Sequence, residues 1–263
     1  MPKFVALSPS QHKDARWLLK TSYKFAGTDA LVPVVAREAH KVLLEMPLAF
    51  ARRPEGGFGL VGVQGLVANT NLFVSDDGRW TGRYIPSVYR GYPFALGRTD
   101  DGREVLCFDV ESGQLSDEGG ERFFEDNGEP ATKVAGMLSF HEAVTLNRRQ
   151  TNFACDVLEK HGLIQPWEIN LELASGTNRI EGLFRVDEAK LKQQSGDVLG
   201  ALMQSHAMPL AYCQLLSMQQ LEQLGIRARA RSAAGKAALA TDQYGDINLD
   251  FLNDDGVFPF GHS

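Results

Sequence analysis

The chain has 263 residues, which is enough for one large domain or two small ones with a buried core. Hydrophobic residues make up 43% and charged residues 23%, a composition that excludes a wholly disordered chain. The net charge of -6 does not favour binding to nucleic acid, and we expect no nucleic-acid partner.

The N-terminal segment predicts a short helix and no targeting signal. The apolar run at 4–7 is too short for a signal peptide, and Ser8 can cap a helix that begins at Pro9 and extends to about Leu19. No stretch of the sequence approaches the roughly 18 apolar residues of a membrane span. We therefore expect a cytoplasmic protein without a membrane span.

The rest of the first half changes from a helical to a strand-like pattern. A second helix is predicted between Pro33 and Pro47. Short apolar runs separated by Gly, Pro and Asp predict antiparallel strands at 48–51, 58–63, 66–68, 71–74, 94–96 and 105–110. Residues 111–130 are rich in Gly, Asp and Glu. They predict a loop and mark the seam between a β-rich half and a helical half.

The second half begins with a long predicted helix from 132 to 161. Its apolar residues, Leu146 and Phe153 among them, fall on more than one face, which predicts packing between layers. Strands at 169–173 and 180–186 follow, then helices capped by Asp187 and Ser195 and a helical pattern that ends at Gly225. The fold class predicted is α+β: a largely antiparallel sheet with a long central helix and a helical C-terminal part packed against it, in a single domain spanning 1–225.

The C-terminal segment, 226–263, differs in composition from the domain before it. It opens with alternating Arg and Ala, becomes small and polar, and closes with an apolar stretch that includes Phe251, Phe258 and Phe260. We expect a linker followed by an apolar tail. The tail docks either on the body of the protein or on a second subunit, and the second alternative predicts a homo-oligomer.

The motifs for metals and cofactors are incomplete. Residues 57–62 read GFGLVG, but they lie within a strand-like run and not between a strand and a helix, as a dinucleotide site requires. His141-Glu142 lacks the second histidine that a zinc peptidase motif places four residues later. Cys107, Cys155 and Cys213 are far apart and predict small apolar core residues. We expect neither a metal nor a cofactor.

One segment combines arginines and aromatic rings to an unusual degree. Its members are Arg79, Trp80, Arg83, Tyr84, Tyr89, Arg90 and Tyr92, followed by Phe94 and Arg98. Guanidinium groups among aromatic rings can stack on a ligand and hold a carboxylate or phosphate, so the segment predicts contact with a peptide, a glycan or a small anion. In the alternative interpretation the rings pack in the core and the arginines pair with acids such as Asp76, Asp77 and Asp100.

Two residues of the long helix form a second candidate. His141 and Arg148 are seven residues apart and therefore share one face of the helix. They predict either a site on that face or side chains that are solvated or paired.

Several stretches carry a family likeness: VPVV at 32–35 with Glu38, NLF at 71–73, DGRW at 77–80, YIP at 84–86, YPFAL at 92–96, FEDNGEP at 124–130, GLFRVD at 182–187 and LLSM at 215–218. In these stretches, across roughly residues 8–225, the chain resembles the SapC family. The family takes its name from a surface-layer locus, so the resemblance implies a role in moving surface-layer protein to the cell surface. It implies no catalytic residues.

Two hypotheses about function remain open from the sequence. The first is a non-enzymatic accessory protein that binds a protein or peptide partner and assists the export or handling of surface-layer protein. The second is an enzyme that acts on a peptide or small anionic substrate at the arginine- and tyrosine-rich segment. An enzyme should gather titratable groups in one pocket, whereas a binding module should expose an apolar or aromatic patch.

Overall fold

The computed structural model describes residues 2–99, 102–173 and 176–244, with the side chains of 170–179 and 234–244 outside the description. The strands are Phe4–Ala6 (β1), Arg16–Trp17 (β2), Leu31–Pro33 (β3), Leu48–Arg52 (β4), Phe58–Val63 (β5), Phe94–Arg98 (β6), Glu104–Asp109 (β7), Leu115–Ser116 (β8), Glu121–Arg122 (β9), Ile164–Pro166 (β10), Ile169–Leu173 (β11), Gly176–Ile180 (β12) and Leu183–Val186 (β13). The helices are Pro9–His12 (α1), Ala36–Val42 (α2), Ser87–Gly91 (α3), Thr132–Lys160 (α4), Glu188–Lys192 (α5), Gly196–Gln204 (α6), Ala207–Ser217 (α7) and Gln220–Tyr244 (α8), with a short 3-10 turn at Lys24–Ala26.

The larger sheet has five antiparallel strands in the order β10-β13-β4-β5-β3. Its central hairpin pairs Phe50 with Leu60, and the turn between the two strands places Gly57 at φ +70, a left-handed conformation that favours glycine. Helices α4 and α7 pack on this sheet and close a core that includes the buried side chains of Leu158 and Leu210. The α+β class with antiparallel sheets and packed helices is confirmed.

A smaller sheet, ordered β1-β7-β6, packs against the N-terminal half of α4. Its core is aromatic: the rings of Phe94, Phe108 and Phe123 meet edge to face, with the Phe108 and Phe123 centroids 5.0 Å apart. Val134, near the start of α4, belongs to this core, whereas Leu158, near its end, belongs to the larger one. The long helix, about 43 Å in length, therefore connects two cores along its axis.

The prediction that α4 is apolar on two buried faces is wrong in part. Leu146 and Phe153 are exposed, at 57% and 59%. The residues buried towards the end of the helix, Ala154, Cys155 and Leu158, lie on one side of it, against the larger sheet. One face of α4 thus leaves apolar side chains in solvent.

Two parts of the first half differ from the predicted pattern. Residues 66–68 and 71–73 form bends and turns instead of strands, and Val74 makes a single antiparallel bridge to Trp80. The buried Asn71 side chain stabilises this conformation by donating to the Ala26 carbonyl and accepting from the Phe73 amide. The segment 111–130, predicted as a loop, contributes β8 and β9, which pair with the two residues of β2.

The helical pattern predicted to end at Gly225 continues in α8 to Tyr244, so residues 226–244 are helical. Arg and Ala have high helix propensity, and Arg231 anchors the helix by donating to the Val74 carbonyl at 2.6 Å and pairing with Asp76 at 2.6 Å. The predicted apolar tail, 245–263, lies outside the described residues, and its docking stays a prediction. No helix in the described ranges has both the length and the hydropathy that crossing a membrane requires.

Candidate functional site

Two members of the arginine- and tyrosine-rich segment meet at a buried carboxylate. Glu38, in the first turn of α2, is 3% exposed and accepts hydrogen bonds from the Val35 amide, the Tyr84 hydroxyl, and the amide and hydroxyl of Ser87 at 2.8–3.2 Å. The Arg90 guanidinium lies 3.7 Å from the same carboxylate. Burial and the neighbouring Glu38 charge raise the pKa of Tyr84 to about 12. This network ties α2 to α3 and has a structural role.

Trp80 and Arg79 have the contacts that the alternative interpretation predicts, a ring packed in the core and an arginine paired with an acid. The Trp80 ring stacks on Phe73 with centroids 5.5 Å apart, and its indole nitrogen donates to the Tyr84 carbonyl at 3.1 Å. The Arg79 guanidinium is exposed and pairs with Asp77 at 2.6 Å. Trp80 therefore packs against the core, and Arg79 is a paired surface residue.

Tyr89 and Tyr92 lie on either side of the end of α3, and both phenols are held by acidic partners. The Tyr89 hydroxyl is 2.9 Å from the Asp29 carboxylate and 2.7 Å from the Gln64 side-chain oxygen. The Tyr92 hydroxyl donates to Asp109 at 2.8 Å. Burial, followed by the neighbouring carboxylate, raises the pKa of each tyrosine, so both phenols are protonated at neutral pH.

Lys20 is a residue that sequence reasoning missed. Its amine donates to the Tyr89 carbonyl and, at 3.2 Å, to the Tyr92 carbonyl, and it lies 4.9 Å from the centre of the Tyr23 ring. Burial lowers its pKa to about 8. No local signal identifies Lys20, because its partners are about 70 residues away in sequence.

A cleft of about 430 Å³ lies between α3, β6 and α4. Tyr89 and Tyr92 line it from one side, and His141 and Arg148 line it from α4, together with Asp29. The two helix residues thus share one face, as their spacing predicts. Of the predicted segment, only the two tyrosines and Phe94 reach this cleft, so the seven site candidates do not converge on one place.

Arg148 differs from the other arginines near the cleft. In the described part of the chain its guanidinium has no hydrogen bond and no ion pair, while the adjacent Arg149 pairs with Glu104 at 3.1 Å. Burial lowers the pKa of Arg148, and the charge of Glu38 opposes that shift. Because arginine stays charged in proteins, the cleft contains a half-buried positive charge with unused donors.

His141 adds a polar group beside this charge. Its Nε2 lies 3.3 Å from the Gly91 carbonyl, and burial lowers its pKa, so the ring is neutral at pH 7. A neutral imidazole whose Nε2–H is used by a carbonyl leaves Nδ1 as an acceptor.

The remaining arginines of the segment lie apart from the cleft. Arg83 is exposed and lines a separate pocket, and Arg98 is exposed and lies 3.8 Å from Glu104. Within the described ranges, no three His, Cys, Asp or Glu side chains come together as a metal site. The thiols of Cys107, Cys155 and Cys213 are free, and burial raises the pKa of each.

The fold and the cleft define an α+β protein with a polar, aromatic-walled cleft beside a long helix. A family model described as SapC matches residues 7–224, and the chain belongs to the SapC family. No curated protein and no solved structure matches the chain.

Proposed function

We propose that the protein is a binding protein whose cleft accepts the carboxylate of an acidic peptide segment on a protein partner. The observation that carries the proposal is the half-buried guanidinium of Arg148, which makes no hydrogen bond and no ion pair among the described residues. A charge removed from water is costly until an opposite charge pairs with it, so this position favours an anion.

A carboxylate fits the donors better than a neutral group does. The planar guanidinium presents two parallel N–H groups that match the two oxygens of a carboxylate. Asp29, the acid that also lines the cleft, is held by the Tyr89 hydroxyl. Arg148 makes no ion pair with Asp29 or with any other described acid, so its donors are available to a ligand.

The walls of the cleft favour a peptide. Rings of Tyr89, Tyr92 and Phe140 line it, and aromatic side chains supply contact area for neighbouring residues of a peptide chain. A volume of about 430 Å³ lies within the range of small-ligand pockets and suits a few side chains.

Membership of the SapC family connects this cleft with the role that the family name implies. An accessory protein that handles surface-layer protein needs a surface for a segment of that protein. We propose the cleft beside α4 as this surface.

Catalysis on a peptide or small anion is the second candidate, and His141 is the observation in its favour. Burial keeps the imidazole neutral, and a neutral imidazole beside a bound anion can accept a proton. In this case the cleft should release a product from a bound peptide, and His141→Ala should abolish the release.

The test is calorimetric titration with an N-acetylated tetraglutamate peptide and its tetraglutamine analogue. The wild-type protein should bind the acidic peptide saturably and the neutral one far more weakly. Arg148→Gln should weaken binding about tenfold or more, the loss expected for a charge-assisted hydrogen bond. Arg149→Gln, which changes the adjacent exposed residue, is the matched control and should bind as the wild type does.

Two outcomes contradict the proposal. One is the absence of saturable binding of the acidic peptide by the wild-type protein. The other is an affinity that Arg148→Gln leaves unchanged.

A further inference from the structure

A second pocket, of about 530 Å³, lies between the end of α2 and the start of α8. Three cationic side chains line it, Lys41, Arg83 and Arg227, with one carboxylate, Glu45. These four side chains leave an excess of two positive charges in a protein whose net charge is -6. Such a local excess attracts anions even when the whole molecule is acidic.

The three cations have no acidic partner among the described residues. The carboxylate of Glu45 forms no ion pair with them, and its Oε2 accepts the backbone amide of Arg83 at 3.1 Å. The position of Arg227 is set by neutral groups: it donates to the Thr81 hydroxyl at 3.1 Å, and its guanidinium carbon lies 4.5 Å from the centre of the Phe73 ring. No acid therefore pairs with these three cationic groups.

The start of α8 adds to the positive electrostatic potential of this pocket. Gln220 and Gln223, in the first turn of this 25-residue helix, line the pocket. The N-terminal end of a helix carries a partial positive charge, which favours an anion. Glu222, the acid of this turn, is exposed and is not part of the pocket lining.

We propose that this pocket binds the phosphate group of a phosphomonoester. A phosphomonoester carries a charge of roughly -1.5 to -2 at pH 7 and three strong acceptor oxygens, which matches the excess charge of the lining. Two arginine forks and two glutamine amides can donate to those oxygens. Leu44, 68% exposed, and the Tyr84 ring form an apolar wall for the organic group that carries the phosphate.

This inference does not depend on the proposed function of the cleft. Arg148 is not part of this lining, and Arg227 lies beyond the residues that the SapC family model matches. The two sites can thus be separated by mutation.

The test is calorimetric titration with glycerol 3-phosphate, with glycerol as the uncharged control. The wild-type protein should bind the phosphate saturably, and added salt should weaken the binding. Arg83→Gln should weaken it about tenfold or more. Arg83 is the residue to change because its side chain is exposed and makes no hydrogen bond in the described structure, so the variant should fold normally.

Two control variants sharpen this test. Arg79→Gln removes an exposed arginine four residues away that pairs with Asp77, and it should bind glycerol 3-phosphate as the wild type does. Arg148→Gln should also bind it normally, because the cleft is a separate site. A loss in Arg148→Gln equal to that in Arg83→Gln would overturn the assignment to this pocket.

A parallel sedimentation assay with phosphatidylcholine vesicles, with and without phosphatidic acid, distinguishes the source of the phosphate. Vesicle binding that requires phosphatidic acid and is lost in Arg83→Gln would show that the pocket binds a lipid headgroup. Saturable binding of glycerol 3-phosphate would show that the pocket binds a soluble phosphomonoester. Binding of neither probe, or binding that Arg83→Gln leaves unchanged, overturns the proposal.

Discussion

The hydroxyl of Tyr84 lies 2.9 Å from a carboxylate oxygen of Glu38, and this contact joins the loop before α3 to the first turn of α2. The two residues are 46 positions apart in the sequence. Because Glu38 is almost fully buried, the donors that surround it replace the hydrogen bonds that water would make to its carboxylate.

Removing this charge should destabilise the fold. Glu38→Gln replaces an acceptor of four hydrogen bonds with an amide that cannot accept all of them, and we expect a loss of about 3 kcal/mol in the free energy of unfolding. Urea denaturation measures the loss. Glu142→Gln, at an exposed position of α4, is the control and should change stability by less than about 0.5 kcal/mol. Equal stability of the two variants would show that the buried network contributes little.

Arg90 and Arg83, seven residues apart, should differ on mutation. Arg90 donates to the Tyr84 hydroxyl at 3.0 Å and the Ile85 carbonyl at 3.1 Å, so Arg90→Ala should cost about 1–2 kcal/mol of stability. Arg83 makes no side-chain hydrogen bond in the described structure, and Arg83→Ala should cost less than about 0.5 kcal/mol. Thermal and urea unfolding of both variants measure these losses of stability. An equal loss in the two variants would contradict the difference between the contacts of Arg90 and Arg83.

Lys20 should make stability depend on pH in the alkaline range. Its pKa is about 8 in the folded protein and 10.5 in the unfolded chain, so the unfolded chain binds more protons between these values. The contribution of Lys20 to the free energy of unfolding should therefore rise as pH increases through this window. Lys20→Met should lack this rise. Urea titrations of both proteins across the window measure the difference, and parallel pH profiles would contradict the buried position of the amine.

Local sequence signals predicted much of the secondary structure. The strand at 58–63 and the helix that begins at 132 follow from hydrophobic period and flanking turns. Asp187 and Ser195 cap their helices through side-chain hydrogen bonds to Lys190 and Val198, as their residue types predict.

The geometry of the cleft could be predicted only in part. Heptad spacing places His141 and Arg148 on one face, but the partner groups come from distant parts of the chain: Asp29 before α2 and the tyrosines around α3. The side chains of segment 79–98 lie in different places because each contacts a different acid: Arg90 contacts Glu38, Arg79 contacts Asp77 and Tyr92 contacts Asp109. No pattern within the segment contains this information.

A crystal structure of the protein with N-acetylated tetraglutamate would show whether Arg148 binds a carboxylate in the cleft beside α4. We expect density for a glutamate carboxylate about 2.7–2.9 Å from the Arg148 guanidinium, between α4 and the rings of Tyr89 and Tyr92. Peptide density confined to the pocket of Lys41, Arg83 and Arg227, with none at Arg148, would contradict it.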